Sequence, residues 1–172
     1  LAASEGQYRA VVVIGPSGNG KSTLGQAIAQ RLGWRFVEGD DHHPPENIAK
    51  MTRGEPLTDD DRAPFLTSIG QALAAGESVA ACSALKRGYR GLLVDTAGLP
   101  ILFVLPRVAN EELQRRMEQR PGHFMPPSML HSQLATFERP TPGESCLTLD
   151  GTMPPTQFAD AVADCLTSGK QP

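Results

Sequence analysis

The octapeptide Gly15-Pro16-Ser17-Gly18-Asn19-Gly20-Lys21-Ser22, entered from the apolar run Ala10-Val11-Val12-Val13-Ile14, constrains this chain more than any other stretch. It satisfies the phosphate-binding pattern G-x-x-x-x-G-K-[ST] at every position and stands between a strand-like and a helix-like segment. Its three glycines allow positive φ and let consecutive amides approach an anion that a Cβ would obstruct. Lys21 adds a point charge at the β/γ-phosphates and Ser22 a hydroxyl for Mg²⁺. The segment 22–32, with Leu24, Ile28 and Leu32 at i, i+4, i+8 and Gly33 as C-cap, continues as a helix whose positive end faces the anion. The chain is therefore expected to bind a nucleoside triphosphate.

A strand directly before such a loop belongs inside a parallel sheet covered on both faces, so the fold class is α/β, a three-layer α/β/α sandwich. The 172 residues suit one domain spanning 1–172. A net charge of −3 and a pI near 5.8 disfavour nucleic acid or an anionic membrane as partner. No apolar run approaches membrane-spanning length, and the N-terminus lacks a signal-peptide layout. Cys82, Cys146 and Cys165 are widely spaced and suggest neither a disulfide framework nor a zinc site, so the cytoplasm is the expected location.

Five strands are predicted, at about 10–14, 34–38, 78–82, 101–105 and 146–149. After the second comes Glu38-Gly39-Asp40-Asp41-His42-His43-Pro44-Pro45, placed beyond the carboxyl end of a strand, where open sheets bind ligands. Two readings compete there: a transition-metal site from Asp40, Asp41, His42 and His43, or Glu38 and Asp40 as a Mg²⁺ and substrate-hydroxyl pair. Alternate residues of an extended backbone point the same way, which favours the second, and adjacent histidines point apart, which leaves His42 and His43 as ordinary loop residues. The third strand ends in Cys82-Ser83 and not in Asp, so the Mg²⁺-side carboxylate must come from Glu38 or Asp40.

A helix is expected at 45–50 and another at about 60–75, capped by Thr58 or Asp59, with Asp59, Asp60 and Asp61 either favouring the helix dipole or touching a ligand. Leu92-Leu93-Val94-Asp95-Thr96-Ala97-Gly98 imitates the D-x-x-G switch of a GTPase, but no N-K-x-D motif accompanies it. The reading preferred here is a helix over 86–95 with Lys86 and Arg90 on one face. Arg116 and Arg120, at the end of a helix over 110–120, run into Pro121-Gly122-His123-Phe124-Met125-Pro126-Pro127, which suggests a small mobile lid at about 120–128 closing over phosphates. Helices over 128–138 and 155–166 follow, the last packing the sheet edge.

With these residues in hand, the sequence resembles the gluconokinases of the small P-loop type, relatives of shikimate kinase and the nucleoside-monophosphate kinases. The likeness rests on the loop at 15–22, Gly39-Asp40-Asp41 with His43-Pro44, and Gly54-Glu55-Pro56-Leu57-Thr58-Asp59-Asp60-Asp61-Arg62 with Pro64. Ala81-Cys82-Ser83-Ala84-Leu85-Lys86 with Tyr89-Arg90, and Gly122-His123-Phe124-Met125-Pro126 with Ser132-Gln133, complete it. Position 38 is Glu where the family usually has Asp, and position 65 is Phe where Trp is common.

The resemblance implies a P-loop NTPase fold with a five-stranded parallel sheet and a lid. It implies transfer of the ATP γ-phosphate to the terminal hydroxyl of D-gluconate, and often a homodimer. The nucleotide would lie on Gly15, Pro16, Ser17, Gly18, Asn19, Gly20, Lys21, Ser22 and Thr23 with Arg116. Ser22 and Glu38 would serve Mg²⁺, and Asp40 would orient and deprotonate the attacking hydroxyl. Lys21 and Arg120 would act in catalysis beside it, His123 would reach the substrate from the lid, and Arg62 or Lys86 would pair with the gluconate carboxylate. The alternatives are another small-metabolite P-loop kinase or, less favoured, a GTPase-type switch.

Overall fold

The computed structural model describes residues 8–119, 128–169 and 172. Its first half runs β1 (Ala10–Val13), α1 (Lys21–Leu32), β2 (Arg35–Glu38), a 3-10 turn (Gly39–His42), α2 (Pro45–Thr52), α3 (Asp59–Leu73) and β3 (Ser78–Ala81). The second runs α4 (Arg87–Ala97), β4 (Ile101–Arg107), α5 (Asn110–Glu118), α6 (Ser128–Thr136), β5 (Cys146–Asp150) and α7 (Pro155–Ser168). Among the described residues the strands form one parallel sheet in the order β2-β3-β1-β4-β5.

The β-branched character of β1 follows from its central place. Its side chains alternate between two apolar layers: Ala10, Val12 and Ile14 meet Leu66, Ile69 and Leu73 of α3 and Leu93 of α4. Val11 and Val13 meet Leu24 and Ile28 of α1 and Phe158 and Val162 of α7. The expected three-layer α/β/α sandwich with five parallel strands is the fold observed. The last helix differs from expectation, because α7 packs beside α1 on one face of the sheet and not along its edge.

The strand order fixes where a ligand enters. From β1 the chain leaves towards β2 and β3 on one side and later crosses to β4 on the other, so a crevice opens at the carboxyl ends next to β1. The Gly15 amide closes the base of that crevice by donating to the Ser83 carbonyl at 3.0 Å.

One further sequence expectation gives way to tertiary structure. Lys86 and Arg90 do not share an exposed face: Lys86 is the N-cap of α4, and Arg90 is buried, with 1% of its surface accessible. Arg90 donates to the Ala84 and Glu138 carbonyls, both at 2.9 Å, and to Glu144 Oε1 at 2.6 Å, fastening the β3–α4 connection to the segment before β5. The helix preferred over the D-x-x-G switch is the one observed, α4. Asp95 and Thr96 lie in the last turn of α4, Gly98 is its left-handed C-cap, and Asp95 lines a groove with Tyr8 and Pro100 at the amino ends of the strands. That end of the sheet is opposite the phosphate loop.

Candidate functional site

Gly15, Gly18 and Gly20 adopt φ of 118°, 89° and 88°, which gives the loop its turn. Asn19 braces it from inside. Only 1% of this side chain's residue is accessible, its Nδ2 donates to the Ile14 carbonyl at 2.9 Å, and its Oδ1 accepts from the Lys21 amide at 3.2 Å. Asn19 thus shapes the loop with its side chain and offers a ligand only its backbone. Gly20 caps α1 in the left-handed conformation with no side-chain cap, leaving the first-turn amides beyond Lys21 to an anion. Lys21 Nζ lies 3.2 Å from the Pro16 carbonyl, folded back over the loop.

Two helices outside the motif hold the loop in place. Gln133 of α6, largely buried, accepts from the Ser17 amide at 2.7 Å. Arg116 of α5 donates to the Gly18 carbonyl at 3.0 Å while Glu112 accepts from its Nε at 3.1 Å. Sequence reasoning placed Arg116 beside the nucleotide and missed Gln133, whose only signal was its place in a family block.

Glu38 and Asp40 both line the cleft with Lys21 and Ser22, as expected, but not through strand alternation. The backbone leaves the extended state after Glu38 and turns through the 3-10 helix. Gly39 makes this approach feasible, since a Cβ there would stand 2.2 Å from the Ala81 carbonyl oxygen. Among the described residues no group of three or more His, Cys, Asp or Glu is arranged to hold a metal ion, which removes the Asp–His transition-metal reading. A Mg²⁺ ion, which binds through one or two protein oxygens plus phosphates and water, fits the hydroxyl of Ser22 and the carboxylate of Glu38, which line one cleft. A triphosphate fits the glycine cradle.

Arg62 lines the same cleft. Its guanidinium stacks over the Tyr89 ring at 5.2 Å, and its buried Nε has no hydrogen-bond partner. An unpaired buried donor costs about 1–3 kcal/mol, which an anionic ligand would offset. Lys86 is elsewhere: it pairs with Asp59 at 3.1 Å, Tyr89 donates to the same carboxylate, and Lys86 is absent from the cleft wall. Of the two candidates for an acidic substrate, the geometry brings Arg62 to Asp40 and not Lys86. Asp61 serves the fold, as the partner of Thr58 in a capping box and of Lys50 at 2.7 Å, and these contacts hold its carboxyl down to about 2.

His43 also lines the cleft and was read from sequence as a loop residue. Burial, with help from Arg62 and His42 against Asp40, lowers its imidazole to about 4. Cys82 on the floor is pushed up to about 12 by burial, so it is a protonated thiol and no nucleophile. On the other side of Gly20 a second cavity, about 440 Å³, lies between Thr23 and Arg116 and the turn Gly151-Thr152-Met153-Pro154 after β5. The two cavities meet at the phosphate loop. The turn carried no sequence motif and was missed. Arg120, His123 and the lid segment before Ser128 lie outside the described residues.

Residues 11–140 match the family model described as AAA domain. A gluconokinase of Gluconobacter oxydans is 47% identical over 152 residues, covering 86% of this chain and 85% of its own. A gluconokinase structure from Sinorhizobium meliloti superposes with a TM-score of 0.83 at 44% identity, covering 94% of this chain and 93% of that one. An unliganded sugar kinase from Janibacter gives 0.85 at 42% identity, covering 93% and 95%.

Proposed function

The chain belongs to the gluconokinase family, and we propose from that premise that it transfers the γ-phosphoryl group of ATP to the terminal hydroxyl of D-gluconate, giving 6-phospho-D-gluconate. The observation that carries the reading is the unpaired, buried Nε of Arg62 in a cleft whose other walls are the phosphate loop and Asp40. A guanidinium with an unpaired buried Nε, in the same cleft as a carboxylate, suits an acceptor that is an anion at one end and a hydroxyl at the other.

Phosphoryl transfer through a loose transition state needs alignment and charge stabilisation more than strong base chemistry. The loop amides and Lys21 hold the β/γ-phosphates, and the cavity between Arg116 and the 151–154 turn takes the nucleoside. Asp40 orients the acceptor hydroxyl and takes its proton. Arg62 fixes the far end of the chain through its carboxylate. Mg²⁺, held by Ser22 and by Glu38 directly or through water, would neutralise phosphate charge. The reading extends to Arg120 and His123 acting from a lid, to a cytoplasmic location and to a homodimer, for which light scattering is the check. No described helix is long and apolar enough to cross a membrane.

The test is ADP release over a panel of sugar acids, shikimate and nucleoside monophosphates. Gluconate should be the preferred acceptor, with turnover dependent on Mg²⁺. Preference for a nucleoside monophosphate, or hydrolysis independent of acceptor, would contradict the reading.

A further inference from the structure

His43 is oriented by three groups that no part of the phosphate chemistry requires. Its ring stacks on Phe65 with centroids 3.7 Å apart and planes 7° from parallel, which fixes the plane of the imidazole. Asn47, of which 3% is accessible, fixes the ring's protonation pattern. Its Nδ2 donates to the Asp61 carbonyl at 2.9 Å, and a backbone carbonyl only accepts, so this atom is the amide nitrogen and not the oxygen. The same Nδ2 lies 3.3 Å from His43 Nδ1. Two donors do not face one another, so Nδ1 carries the lone pair and the ring proton sits on Nε2.

The Nε2 atom has no hydrogen-bond partner among the described residues, and His43 lines the cleft with Asp40 and Arg62. His42 behaves differently, with its Nδ1 2.7 Å from Ser68 Oγ of α3. We propose that His43 is a specificity-determining residue of the acceptor site, presenting a fixed Nε2–H donor that reads the oxygen of one secondary hydroxyl on the acceptor chain. The inference rests on the gluconokinase reading for the identity of that chain.

The assignment separates two roles that a histidine beside an aspartate would otherwise confuse. A ring whose Nε2 already holds its proton is unable to take one from the attacking hydroxyl at that atom, so proton acceptance stays with Asp40. The lowered proton affinity of His43 has the same sense: protonating Nδ1 would set a second N–H against the Asn47 amide as well as charge a half-buried ring. A polar group built to bond a substrate oxygen rejects an analogue lacking that oxygen, because the donor is then left unpaired.

The first measurement is the ¹⁵N imidazole spectrum of the ligand-free, histidine-labelled enzyme, with His43 assigned by its loss in His43→Gln. A protonated Nε2 and an unprotonated Nδ1, unchanged between about pH 7.5 and 5.5, are expected. An Nδ1–H tautomer, or a charged ring at the lower pH, would overturn the inference whatever the substrate.

The second is kcat/KM for gluconate and for a set of monodeoxygluconates. Wild type should discriminate against one of them, and His43→Leu should lose roughly tenfold on gluconate, mostly in KM, while losing little on that analogue. His43→Gln, whose amide nitrogen reaches near the Nε2 position, should recover part of the loss. Equal losses by His43→Leu on gluconate and on every analogue would mean that the ring only packs, and would overturn the proposal. Wild type inactive on gluconate would instead remove the gluconokinase reading, an outcome separate from either.

Discussion

Asp40 and His43 stand at the two ends of one short turn and have opposite hydrogen-bonding characters, a carboxylate that accepts and an imidazole whose network makes it donate. Asp40→Asn keeps the shape and removes the proton acceptor, so kcat should fall by roughly a hundredfold or more while KM for gluconate changes little; a kcat within about threefold of wild type would take the base role from Asp40. The histidine gives a pH dependence of a definite sign. Its folded-state value of about 4 lies below the ordinary 6.5, chiefly because burial disfavours the charged ring, with Asp40 opposing and Arg62 and His42 adding to the shift. The unfolded chain therefore binds a proton that the folded chain refuses, and stability fully present above pH 6.5 is lost as the pH falls towards 4. Urea unfolding of wild type should weaken more steeply over that window than that of His43→Gln, and parallel profiles would contradict the burial argument. Asp40 was legible because a carboxylate just beyond a strand end lies where sheets bind ligands. His43 was not, since its orientation depends on Asn47, Phe65 and the Asp61 carbonyl, which adjacent-residue reasoning does not bring together.

Among the elements, α4 shows why a motif is weaker evidence than its place in the topology. The run 92–98 reads like a switch, yet it closes a helix that returns to the amino edge of the sheet, the end opposite the phosphate loop. The same helix carries Arg90, whose pairing with Glu144 leaves 2% and 11% of the two side chains accessible. Replacing Arg90 strands the Glu144 carboxylate in a poorly hydrated place, so Arg90→Met should cost about 3–5 kcal/mol of unfolding free energy, measured in urea, with nucleotide KM little altered at low temperature. A cost under about 1 kcal/mol would show the pair to be ordinary surface electrostatics. From sequence, Lys86 and Arg90 looked equivalent at i, i+4. What parts them is the start of the helix: Lys86 precedes its first turn and reaches Asp59 of α3, while Arg90, one turn in, faces the 138–144 segment. Strand and helix positions were read well where local pattern decides them, as in the valine run of β1, the Gly33 C-cap of α1 and the Thr58 cap of α3.

At the scale of the whole molecule, the sheet order brings donor and acceptor sides together. Because the chain departs from β1 in both directions, the phosphate loop sits over the crevice with the acidic turn and Arg62 on one side and the 151–154 turn on the other. On the proposed reading, an acceptor hydroxyl and a γ-phosphate would meet near Gly20, which lines both cavities. The proposed acceptor is an acid whose carboxylate Arg62 holds. The most direct test of that role is kcat/KM for gluconate and for an uncharged polyol of equal length, in wild type and Arg62→Ala. A charge-assisted bond contributes about 1.5–3 kcal/mol, so the wild-type preference for the acid should shrink at least roughly tenfold in Arg62→Ala through KM for gluconate, with KM for ATP nearly unchanged and partial recovery in Arg62→Lys. A preference for the acid that survives Arg62→Ala undiminished would show that Arg62 does not hold the acceptor carboxylate.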